Sequence, residues 1–199
     1  MMVRKWVLTP VIAVVLAALA ACSSPPTVVQ MAADYPGYDQ STLFSEASII
    51  VEGTVLATAY RVDKPQYVGD TPEENPLYGL PSDEVSTIVA QDSGVPTTVV
   101  TLRVDAAYKG GVAVGETITV VRTGGVIDGV DYRVAGESAL EANGRYLLFA
   151  ADSSAGEYYI LGGQTGVYAV TGDGYAATGA GAPYQHLTAA EVTDQAATR

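Results

Sequence analysis

The sequence predicts a small all-β domain, closed as a barrel, with a short helix before it and another after it. Three observations carry that expectation. Hydrophobic residues alternate with period two from Ile49 and again from Thr98, as half-buried strands require. Glycine-bearing turns punctuate the chain at Lys109-Gly110-Gly111, Thr123-Gly124-Gly125, Asp128-Gly129, Asn143-Gly144 and Asp173-Gly174. Tyr146 to Ala150 is apolar at successive positions, the mark of a central strand buried on both faces.

The chain opens with a leader, residues 1–21. Arg4 and Lys5 precede an apolar run from Trp6 to Ala18, and the run is shorter than the roughly 20 residues of a membrane-spanning helix. It ends in Leu19-Ala20-Ala21-Cys22, which resembles the bacterial lipoprotein signal. That resemblance implies diacylglycerol on the Cys22 thiol and cleavage before Cys22. The lipid would hold the protein to a cell membrane on its extracytoplasmic face, since two or three acyl chains anchor stably where one does not.

Cys22 is the one cysteine, so no internal disulfide is possible and the exported domain must rely on its apolar core. Without the leader, eight Lys and Arg stand against 22 Asp and Glu, a formal charge of −14. Such an acidic chain is unsuited to nucleic acid, which needs clustered Lys and Arg. It is equally unsuited to laying its folded body on anionic headgroups.

Residues 22–38 are rich in small and polar residues and read as a flexible tether, on the order of 20 Å long at coil scaling. The domain is expected over 39–175. It starts with a helical turn or two between Asp39 and Ala47. A first strand follows, with Ile49, Val51, Gly53, Val55, Ala57 and Ala59 on one face, where Gly53 lets it coil. Residues 61–96 hold five prolines and seven acidic side chains and are expected as a long acidic loop.

Thr98 to Tyr108 and Thr117 to Arg122 then alternate cleanly, and Asp128-Gly129 is a type I′ hairpin signal. Residues 176–199 are expected as a linker and a short C-terminal helix. There Thr188 and Glu191 have capping-box spacing, and Leu187 and Val192 have the spacing of a hydrophobic staple.

Four segments carry a further resemblance: Ser48 to Val55, Val104 to Gly110, Gly144 to Phe149 and Leu161 to Val170. Their order resembles a broad family of bacterial exported and lipid-anchored proteins. It is also similar to the netrin-like domain of tissue inhibitors of metalloproteinases, an OB-type barrel. The likeness covers roughly residues 42–172. Those inhibitors chelate zinc with an N-terminal Cys-x-Cys, whereas here Cys22 is followed by Ser23 and Ser24. The resemblance therefore implies the fold and not the inhibitory chemistry.

No catalytic residue, metal site or cofactor is expected. His186 is the single histidine and no G-x-S-x-G elbow accompanies it. The carboxylates lack a D-x-[DN]-x-[DN]-G calcium loop, and Gly162-Gly163-Gln164-Thr165-Gly166 joins two strands instead of opening a phosphate-binding helix. Tyr67 and Tyr78 lie in the acidic loop with Asp83 and Glu84, where aromatic side chains favour a partner.

These four residues are the candidate contacts to an envelope protein or cell-wall ligand. The expectation is a lipid-anchored, non-enzymatic binding module. The alternatives are an inhibitor-like module acting on an envelope peptidase, a hydrolase using His186, and a carrier of an apolar ligand.

Overall fold

The computed structural model describes residues 27–64, 69–73, 75–153 and 156–198. The leader, Cys22 and Tyr67 lie outside the described residues. The described residues are mostly β, with three α-helices. Its first described element corrects an expectation: β1 (Thr27–Met31) is a strand within what reads as tether. Its pattern, TVVQM, has no alternation to announce it.

α1 (Gln40–Glu46) forms where the sequence places it. Asp39 caps it, accepting from the Ser41 and Thr42 amides at 2.7 and 2.8 Å, while the Thr42 hydroxyl accepts from the Asp39 amide at 2.8 Å. At the other end the Lys109 ammonium donates to the Phe44 and Ser45 carbonyls at 2.7 and 3.2 Å.

β2 (Ile49–Asp63) and β3 (Val95–Lys109) make one long antiparallel ribbon. The acidic loop is accordingly shorter than 61–96 and is not all loop, since α2 (Ser82–Gln91) lies within it. Proline density hid the helix: Pro81 is its N-cap, where proline interrupts nothing. None of its residues is buried.

β2 also departs from uniform alternation. Its register shifts between Val55 and Ala57, so Leu56 bulges and the following residues exchange faces. Ala57 and Ala59, expected inside with Val51 and Val55, are exposed, and Thr58 and Tyr60 stand opposite Val100 and Thr98.

The chain continues through β4 (Thr117–Thr123), β5 (Gly125–Ile127), β6 (Val130–Val134), β7 (Arg145–Asp152) and β8 (Tyr158–Ile160). A single 3-10 turn, Gly163–Gly166, leads into β9 (Val167–Val170). β10 (Tyr175–Ala177), β11 (His186–Leu187) and α3 (Ala189–Thr198) complete the fold. The sheet therefore runs past residue 175 into the expected linker.

β1, β6 and β5 form a three-stranded sheet. The larger sheet has the order β11-β10-β9-β7-β2-β3-β4-β8. β8 also pairs antiparallel with β7 and parallel with β4, so β7, β2, β3, β4 and β8 are hydrogen-bonded in a cycle.

Two apolar cores follow from that arrangement. All five strands of the cycle contribute to the first, through residues such as Val51, Leu102, Val120, Leu148 and Ile160. It fills the interior of the cycle. The second covers the outer face of β2, β7 and β9, where Ile50, Leu147, Phe149 and Tyr168 meet Leu43 and Phe44 of α1 and Val192 of α3. β7 is apolar on both faces because it serves both cores: Tyr146 and Leu148 point into one, Leu147 and Phe149 into the other.

Candidate functional site

The bulge at Leu56 helps shape a concavity. By turning Thr58 and Tyr60 toward the side of Val100, it extends the inner face of the ribbon beyond the packed core. The β5–β6 hairpin arches over that extension. Its turn takes Asp128 to φ 50° and Gly129 to φ 78°, the left-handed pair that a type I′ turn requires. Gly125 sits so close to the Tyr60 ring that a Cβ there would lie 2.7 Å from Tyr60 Cδ1.

Between ribbon, hairpin and the segment 137–141 lies a groove of about 540 Å³. Leu140, part of the inner core, is among its lining residues, so the groove abuts that core. Concavities beside a packed core are common binding positions.

The lining pairs aromatic and hydroxyl groups with charges. Thr58, Tyr60 and Thr98 come from the ribbon, Asp131, Tyr132 and Arg133 from β6, and Glu141 from the following segment. Arg133 donates from Nε to Asp131 at 2.7 Å, and its own side chain is largely exposed. The carboxylate beside it raises the Arg133 pKa further. The exposed Arg133 guanidinium keeps donors beyond this pair for a ligand.

The inner wall is stiffer. Arg122 and Glu137 form an ion pair with side chains only 9% and 5% exposed, and Arg122 also donates to the Ser138 carbonyl at 2.6 Å. Behind them is a second cavity of about 240 Å³ that includes Tyr35, Tyr38 and Gly163. Burial pushes the Tyr35 phenol up to about 12, so it stays protonated and available as a donor beside Glu137.

Of the residues expected to bind a partner, Tyr78, Asp83 and Glu84 do not line this groove. Tyr78 is 51% exposed, and Asp83 and Glu84 are exposed in the first turn of α2. All three belong to the excursion that leaves the ribbon just past the groove. Tyr67 and Cys22 lie outside the described residues.

His186 is half exposed on β11, with Nε2 3.5 Å from Asp173, which in turn accepts from the Thr171 hydroxyl at 3.0 Å. These contacts lower the Asp173 pKa, the Thr171 hydrogen bond contributing most. The imidazole does not line the groove. Among the described residues no three His, Cys, Asp or Glu side chains converge on a point that would hold a metal ion. No described helix is long and apolar enough to cross a membrane.

The four segments behind the resemblance are used for packing. Lys109 caps α1, and a Cβ on Gly110 would lie 2.7 Å from Ile49 Cγ2. Arg145 pairs with Glu52, which also accepts from Tyr175 at 2.7 Å, and Tyr146 accepts from the Glu141 amide at 3.0 Å. Gln164 is a buried clamp, accepting from the Ser138 amide at 2.9 Å and donating to the Thr178 hydroxyl. Gly166 has no room for a side chain, since a Cβ would lie 2.6 Å from the Leu161 carbonyl oxygen.

Sequence reasoning missed Tyr60, Asp131, Tyr132 and Arg133. Their convergence depends on the bulge and on a hairpin folding back over a ribbon. The i, i+2 placing of Asp131 and Arg133 was the one local signal. No protein-family model matches the chain, and no curated protein matches it either.

Proposed function

We propose that the protein is a lipid-anchored module of a bacterial envelope that binds a protein or cell-wall ligand in the groove beside its inner core and performs no chemistry on it. The groove itself carries this reading. It joins an open concavity to exposed aromatic, hydroxyl and paired charged groups, which is the composition of a recognition surface. Tyr78, Asp83 and Glu84 extend that surface from the neighbouring excursion.

The strand cycle supports an OB-type barrel, and with it the netrin-like resemblance. In OB folds the face of the second and third strands with its flanking loops is a usual binding position. Anchorage rests on the Leu-Ala-Ala-Cys leader and places the groove outside the cytoplasm.

The test compares wild type with a Tyr60→Ala/Arg133→Ala double variant, both held on beads and exposed to purified cell-wall sacculi and to solubilised envelope protein. Tyrosine and arginine dominate binding energy where they are central. Retention of at least one of the two materials should fall by about tenfold or more, equivalent to about 1.4 kcal/mol. Equal retention by both proteins would remove the groove from the account.

A further inference from the structure

The three-stranded sheet has an unusual edge. β1 is its terminal strand, joined in parallel to β6 from Thr27 opposite Val130 to Met31 opposite Val134. Four of its five residues are exposed, among them Val28 at 46% and Val29 at 38%. The strand carries no charge, proline or bulge, and among the described residues no strand pairs with its outer side, so it lacks those three protections of an open edge.

Charge singles out the same place. β1, β5 and β6 together contain one aspartate and one arginine, Asp131 and Arg133, and these neutralise each other. A neutral sheet in a chain of formal charge −12, or −14 without the leader, is where two copies meet with least repulsion.

The chain's start supplies the rest. Thr27 is five residues beyond Cys22, at most about 18 Å of extended backbone. If Cys22 is anchored as proposed above, β1 is held close to the membrane and every copy presents it at the same height. This inference rests on that reading.

We propose that β1 is a self-association edge, through which two membrane-held copies pair their β1 strands antiparallel and join their three-stranded sheets across a two-fold axis. An antiparallel pair centred on Val29 is self-complementary, as a two-fold interface must be. Five residues bury far less than the roughly 1,200 Å² of a stable soluble interface. The dimer therefore forms on the membrane, where confinement raises the effective concentration, and not in dilute solution.

The experiment uses the leaderless chain coupled through the Cys22 thiol to maleimide-headgroup lipid in phosphatidylcholine vesicles. Coupling makes the result independent of whether cells lipidate Cys22, and processing of the Cys22→Ala variant in cells tests that separately. A photo-crosslinking amino acid replaces Val29, 38% exposed, or Val114 as a control at a more accessible site, 68% exposed and away from the edge.

Illumination should give at least about tenfold more covalent dimer from position 29 than from position 114. The excess should vanish for uncoupled protein at micromolar concentration. It should also vanish with Gln30→Pro, whose retained circular dichroism spectrum would show an intact body. Equal yields at the two positions, dimer in solution as strong as on vesicles, or insensitivity to Gln30→Pro would each overturn the proposal.

Discussion

A Cβ at Gly53 would stand 2.6 Å from both the Arg103 carbonyl oxygen and a methyl of Leu102. The residue faces into the cycle between Val51 and Val55, and its missing side chain lets β2 curve tightly over β3. Gly53→Ala should cost about 1–3 kcal/mol, as overpacking of a core does, measured as a lower urea midpoint.

Single carboxylates set the acid limit. Hydrogen bonds from the Thr42 and Ser41 backbone and side chains hold Asp39 at about 2, and hydrogen bonding to Arg61 lowers Glu157. Groups with depressed folded values stabilise the fold above their unfolded pKa of about 4 and lose that contribution as pH falls through the folded value. Thermal stability should therefore be flat from pH 7 to 5 and decline between about 4 and 2. An Asp39→Ala/Glu157→Gln variant should show a shallower decline over the same range.

The residues that were legible from sequence share a local cause. Thr188 with Glu191, and Asp128 with Gly129, act within a few positions of themselves, so their spacing reveals them. Tyr60 and Arg133 act across the fold. One extra residue at Leu56 inverts the face of everything after it, and a period-two pattern carries no mark of that inversion.

Among elements, α3 is the most fully specified. Thr188 donates from its backbone amide to Glu191 at 2.7 Å, Glu191 returns its amide to the Thr188 hydroxyl at 3.2 Å, and Leu187 and Val192 are both buried. Thr188→Ala should lower stability by about 1 kcal/mol in chemical denaturation. The excursion between β2 and β3 should behave oppositely. With no buried residue in α2, replacing residues 66–90 by a short glycine-serine link should leave stability within about 0.5 kcal/mol. β1 escaped the sequence reading because its partner lies about a hundred residues away and its own five residues show neither alternation nor a flanking turn.

At the scale of the whole molecule, two cores on either side of shared strands fix the body, and the groove abuts the inner core. The predominance of strands and the helices at Gln40–Glu46 and Ala189–Thr198 were readable because they rest on pattern and composition, whereas α2 and β1 were not. Nor was the groove, since it arises from the overhang of β5 and β6.

Hydrogen exchange tests the groove most directly. Sacculi or envelope protein retained by the wild-type chain would be added back, and amide protection mapped along the sequence. Protection is predicted at residues 124–126 and 131–134, with a smaller effect at 78–84. Protection confined to residues 186–198, or none at the hairpin, would contradict the account.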